Sequence, residues 1–165
     1  MKDTLINRRE FLKNIGVLGA GVLLSASPWL SAFSEVKETS NEKCRLAVIG
    51  PGSRGRFLMS FLVQNPKVDI VALCDIYQPS IDEGLKLAPK AKVYDDYRRI
   101  LEDKTIDAVL VATPLNSHCQ IVLDAFDAGK HVFCEKTIGF TMEECYRIYQ
   151  KHISTGKIFF TGQQR

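Results

Sequence analysis

Gly50-Pro51-Gly52-Ser53-Arg54-Gly55 matches G-x-G-x-x-G, the spacing at which backbone N–H groups can cradle a pyrophosphate. The pattern alone is weak. With 11 glycines in 165 residues, a second cluster arises at Gly16-Val17-Leu18-Gly19-Ala20-Gly21. Position separates the two. The later cluster follows the apolar run Leu46-Ala47-Val48-Ile49 and opens a helix near Ser53, whereas no strand precedes the earlier one. In a strand–loop–helix setting, Gly50 allows the tight turn and Gly52 lets backbone approach phosphate. Gly55 lets the helix pack on the sheet. Ser53 and Arg54 stand at the helix N-terminus, which favours an anion, and Arg54 would flank the pyrophosphate. A second strand ends in Asp75, 25 positions after Gly50. A carboxylate there accepts hydrogen bonds from ribose hydroxyls and opposes a 2′-phosphate. The expected cofactor is therefore NAD; Arg54 and Arg56 are the only residues that speak for NADP.

These residues need a scaffold, and the apolar pattern supplies one. Continuous, partly β-branched runs occur at 45–50, 68–74, 107–112, 131–134 and 157–161, with a shorter one at 92–94. Such runs suit strands covered on both faces, as in a parallel sheet. Between them lie helical segments. Ser80-Ile81-Asp82-Glu83, Ser117-His118-Cys119-Gln120 and Thr141-Met142-Glu143-Glu144 each match a capping box, in which two side chains satisfy otherwise unpaired N–H groups. Gly129 and Gly156 fall where a helix end calls for a left-handed residue. Strand and helix alternate throughout, which predicts an α/β fold with a Rossmann-type, doubly wound parallel sheet.

Ligands in such sheets bind beyond the carboxyl ends of the strands. Three segments meet that condition: Ala112-Thr113-Pro114-Leu115-Asn116-Ser117-His118, Cys134-Glu135-Lys136-Thr137 and Gly162-Gln163-Gln164-Arg165. Together with "GPGSRG", "CD", "DAVLVATPLNSH" and "AGKHVFCEKT", they make the sequence similar to the Gfo/Idh/MocA oxidoreductases, a family of sugar and inositol dehydrogenases and their relatives. The resemblance covers residues 43–165, the nucleotide-binding half. It implies that Lys136 lies beside the substrate hydroxyl and assists proton transfer, and that Glu135 contacts the nicotinamide ribose. It also implies that Thr113 and Pro114 line the nicotinamide end, with His118 on the cofactor side. One departure is Thr137, where the family has proline; loss of that ring predicts a less rigidly held Lys136. Family members continue into a second α/β domain that supplies most of the substrate pocket, further catalytic groups and the oligomer interface. The resemblance implies that this chain stops where that domain would begin, leaving half an active site, with a homo-oligomer only where the domain is present. The expected activity is NAD-dependent oxidation of a sugar or polyol hydroxyl. The alternatives are an NAD-dependent glycosidase of the same superfamily and a non-catalytic dinucleotide-binding fragment.

The remaining features bound this reading. A formal charge of +3 does not imply a nucleic-acid partner. Asn7-Arg8-Arg9-Glu10-Phe11-Leu12-Lys13, the ten apolar residues 15–24 and the small residues around Ser31-Ala32-Phe33-Ser34 read as a twin-arginine export signal over 1–34. That predicts a periplasmic protein. The apolar stretch is short of the roughly 20 residues a span needs, so no stable membrane anchor is expected. Residues 35–43 read as a polar linker, and 44–165 as the NAD-binding domain. Five cysteines without a C-x-x-C pair suggest neither zinc nor disulfides; all five are expected in the core. Tyr94 and Asp95-Asp96 read as a strand end and a helix cap, with no metal geometry.

Overall fold

The computed structural model describes residues 43–163. The segment read as an export signal, the segment read as a linker apart from Lys43, and Gln164 and Arg165 lie outside the described residues.

Strands and helices alternate along this region. The strands are β1 (Cys44–Ile49), β2 (Val68–Cys74), β3 (Lys92–Tyr94), β4 (Ala108–Val111), β5 (His131–Glu135) and β6 (Phe159–Gly162). The helices are α1 (Ser53–Leu62), α2 (Gln78–Leu87), α3 (Tyr97–Glu102), α4 (Leu115–Asp127) and α5 (Met142–Thr155). All six strands pair in parallel in the order β3-β2-β1-β4-β5-β6. This is the doubly wound Rossmann arrangement that the alternating pattern predicts.

The continuous apolar runs are explained by two cores, one on each face of the sheet. Successive strand residues point to opposite faces, so along β1 Leu46 and Val48 join Met59 of α1 and Ile81 of α2. Ala47 and Ile49 join Ile121, Val122, Ala125 and Phe126 of α4, with Ile148 of α5, on the other side. The helix after β1 and the helix after β4 therefore lie on opposite faces. Neighbouring strands whose chains depart to opposite faces leave a crevice at their carboxyl ends.

Of the three capping boxes, only Thr141 with Glu144 forms one. α2 starts earlier than the Ser80 pattern implies because Pro79 presets the first-turn backbone and Tyr77 is the cap residue. α4 likewise starts directly after Pro114, which places Ser117 inside its first turn. There the Ser117 hydroxyl bonds to Thr113 Oγ1 at 2.8 Å and the Pro114 carbonyl at 2.7 Å. The helix ends agree with the sequence reading: Gly129 and Gly156 have φ of 73° and 63°. The cysteines agree only in part. Cys74, Cys119 and Cys134 are buried, but Cys44 is exposed and Cys145 half-buried. Cys44 opens β1 ahead of the portion of that strand the helices cover.

Candidate functional site

The crevice at the β1/β4 switch is a cleft of about 980 Å³. The glycine loop forms its floor, and sterics explain two of the three glycines. Gly50 has φ +89°, and a Cβ on it would lie 2.8 Å from the Ala112 and Thr113 backbone. A Cβ on Gly55 would lie 2.3 Å from the Gly50 carbonyl oxygen, so Gly55 serves the loop's own closure as much as packing on the sheet. Gly52 is different. A Cβ there would meet nothing within 4 Å, yet the residue caps α1 with extended backbone and lines the cleft. No neighbour in the fold demands a glycine at this point. The open volume over a helix N-terminus fits a phosphate brought close to the backbone.

Asp75 follows β2 and also lines the cleft, with Oδ1 accepting the Tyr77 N–H at 3.0 Å. That bond shapes the turn into α2. Thr113 and Pro114 come in from the end of β4. Of the anticipated site residues, Gly50, Gly52, Asp75, Thr113 and Pro114 thus share one cavity.

His118, Glu135 and Arg54 are not among the residues that line it. His118 is 1% exposed and does not line the cleft. Its Nδ1 lies 2.8 Å from the Thr137 carbonyl oxygen and its Nε2 2.8 Å from that of Thr113. A carbonyl only accepts, so a neutral ring donates to one of them and a protonated ring to both. His118 therefore ties the loop after β4 to the loop after β5 through their backbones. The Thr137 carbonyl is held in this way without the proline ring.

Glu135 ends β5 with a side chain 5% exposed. Arg54 Nε donates to its Oε1 at 2.7 Å, and the Lys136 N–H donates to Oε2 at 3.2 Å. A Cβ on Gly162 would come within 2.8 Å of this carboxylate, so β6 closes tightly over it. Arg54 also lies 5.0 Å over the Phe57 ring, a cation–π contact that further fixes its guanidinium. Ser53 is the first residue of α1 and exposed, as are Lys136 and Thr137. Lys136 projects from the carboxyl end of the sheet beyond the cleft lining.

Sequence reasoning missed several lining residues: Ile76 and Tyr77 after β2, Tyr97 and Arg98 after β3, and Asn116 and Gln120 on α4. Ile76 is 99% exposed, although apolar residues next to a strand normally enter the core. The available signal was position alone, immediately beyond a strand's carboxyl end. Asp96 caps α3 by accepting the Arg98 N–H at 2.9 Å, as read from sequence. No cluster of metal-ligating residues occurs among the described residues. The buried thiols are poor nucleophiles, since burial and then Asp75 push Cys74 up to about 11, and burial pushes Cys134 up to about 12.

Comparison with known proteins extends this geometry. The family described as "GFO_IDH_MocA: Oxidoreductase family, NAD-binding Rossmann fold" matches residues 44–163. A glycosyl hydrolase family 109 protein of Stenotrophomonas maltophilia is 33% identical, over 92% of this chain and 34% of its own length. That coverage exceeds the described domain, so the likeness reaches into the N-terminal segment. An alpha-N-acetylgalactosaminidase of Shewanella oneidensis is 30% identical, over 87% of this chain and 36% of its own. Among solved structures, a myo-inositol dehydrogenase of Lactobacillus casei, in complex with NAD(H) and myo-inositol, has 32% identity and a TM-score of 0.68. It covers 73% of this chain and 36% of its own. The chain spans about a third of the length of these relatives.

Proposed function

This chain belongs to the Gfo/Idh/MocA oxidoreductase family, and on that premise we propose that it is the nucleotide-binding part of an NAD-dependent oxidoreductase acting on a sugar or polyol hydroxyl. The observation that carries the proposal is the cleft in which Gly52 leaves open space over the α1 N-terminus while Asp75 lines the same cavity. Backbone at Gly50 and Gly52, with the first N–H groups of α1, holds the pyrophosphate. The Asp75 carboxylate accepts from the adenosine ribose hydroxyls. Ile76 and Tyr77 offer exposed apolar surface to the adenine. Thr113 and Pro114 border the nicotinamide end, their loop held by His118. When bound, NAD supplies the hydride acceptor. Glu135 lies buried at the nicotinamide-ribose end, and Lys136 receives the substrate hydroxyl and moves its proton.

A second reading is an NAD-dependent glycosidase, favoured by the names of the curated relatives, glycosyl hydrolase family 109 and alpha-N-acetylgalactosaminidase. The intact Glu135-Lys136 pair supports placing the dehydrogenase first. Export by the twin-arginine route belongs to the proposal under either reading, on the strength of Arg8-Arg9 and the apolar run 15–24.

Titration calorimetry tests the cofactor, with NAD expected to bind. With the chain joined to a family substrate domain, assays of polyols for net NADH formation, beside a chromogenic N-acetylgalactosaminide, separate the two activities. Glycoside cleavage without net NADH would replace the first reading by the second, and absence of NAD binding would end both.

A further inference from the structure

Arg54, the second residue of α1, reaches across to Glu135, 81 positions later, with Nε 2.7 Å from Oε1. The carboxylate is almost wholly buried and the guanidinium about one-third exposed. Flanking the pyrophosphate is the role the sequence suggested for Arg54, but its guanidinium is turned to the end of β5.

Two physical facts give this pair a function. A buried carboxylate without its counter-charge is costly. It also lies within one side chain's reach of the helix N-terminus on which a pyrophosphate would sit, and like charges in a poorly hydrated site repel. The carboxylate has no room to withdraw toward β6, since even a Cβ on Gly162 would stand 2.8 Å from its carboxyl carbon.

We infer that Arg54 is a positioning residue, one that neutralises and holds the Glu135 carboxylate so that an anionic dinucleotide can bind beside it, without itself contacting the phosphates. The inference rests on the proposed NAD site and deepens it. It makes Glu135 conditional: useful to the nicotinamide ribose while paired, and harmful to the pyrophosphate once unpaired. Arg54 is accordingly no phosphate ligand for NADP.

The test is a four-way comparison on the whole chain, with NAD affinity read by calorimetry well below each variant's melting temperature, so that lost stability is not read as lost affinity. Arg54→Gln should weaken NAD by roughly ten-fold, the scale of one lost charge-assisted hydrogen bond. Glu135→Gln should weaken it only slightly. The decisive protein is the double variant, which should bind like Glu135→Gln alone, because removing the carboxylate removes the harm done by removing its partner. If Arg54→Gln does not fold, the comparison rests on Glu135→Gln against the double variant, both of which lack the buried charge: equal NAD affinity supports the inference, and a weaker double variant overturns it. A double variant as weak as Arg54→Gln, or weaker, overturns the inference and makes Arg54 a direct cofactor ligand. An unmodified chain that fails to bind NAD overturns the proposed function itself, a result distinguishable from the first.

Discussion

The Gly50 carbonyl oxygen and the Gly55 α-carbon face each other so closely that a methyl group on Gly55 would lie 2.3 Å from that oxygen. The loop closes on itself at this point, and the closure separates folding from binding. Gly50→Ala and Gly55→Ala should each destabilise the domain by roughly 1–3 kcal/mol, through strain and overpacking. Gly52→Val should leave the melting temperature nearly unchanged and abolish NAD binding, because its side chain enters the open phosphate space. Calorimetry and thermal unfolding on the three variants check this. Retained NAD binding by Gly52→Val would refute the cradle.

Asp75 sets cofactor preference in this account. Because its Oδ1 also takes the Tyr77 N–H, the informative replacement keeps that bond and removes the charge. Asp75→Asn should bind NAD more weakly and narrow the gap to NADP, whereas the unmodified chain should prefer NAD. A native preference for NADP, measured by the same titrations, would shift attention to Arg56.

Lys136 is exposed beyond the cleft lining, so its loss should spare the nucleotide. Lys136→Met should change NAD affinity less than about two-fold, a few tenths of a kcal/mol. With the chain joined to a family substrate domain, polyol-dependent NADH formation should fall by roughly 10²–10⁴, the usual worth of a positioned proton-transfer group. Normal turnover by this variant would make the lysine a bystander.

Outside the cleft lining, Asp103 accepts from the Thr105 hydroxyl and backbone N–H at 2.7 and 2.9 Å. These bonds, the hydroxyl's first, hold its carboxyl below the usual range. A carboxyl lowered by folding contributes stability above its unfolded pKa and loses it as pH falls through the folded one. Asp103→Asn should therefore melt below the unmodified chain at pH 7, and the gap should close toward acid. A gap independent of pH would show that the charge is irrelevant.

Export is testable without structure. Arg8→Lys with Arg9→Lys should hold a reporter fused behind residues 1–42 in the cytoplasm. Unchanged delivery across the membrane would rule out the twin-arginine route.

The alternation of apolar runs with helical segments was enough to determine the sheet, because a strand buried on both faces has to be apolar at every position, and that is visible in one dimension. The placement of the glycine loop and of Asp75 was legible for a related reason: it depends on local backbone and on position after a strand. Contacts between distant residues were not legible. Nothing near Arg54 in sequence announces Glu135 as its partner, and nothing near His118 announces the Thr137 carbonyl, since both meetings follow from strand order and from how two loops converge at the sheet's end. Residue type gave no sign that Ile76, apolar yet 99% exposed, would line the cleft, and it misled at Ser80 and Ser117, where prolines start the helices ahead of the apparent caps. Sequence determined which elements form and where the glycine loop falls between β1 and α1. Tertiary structure decided which charges pair and which residues face the cleft, because those depend on chain crossings that no local pattern encodes.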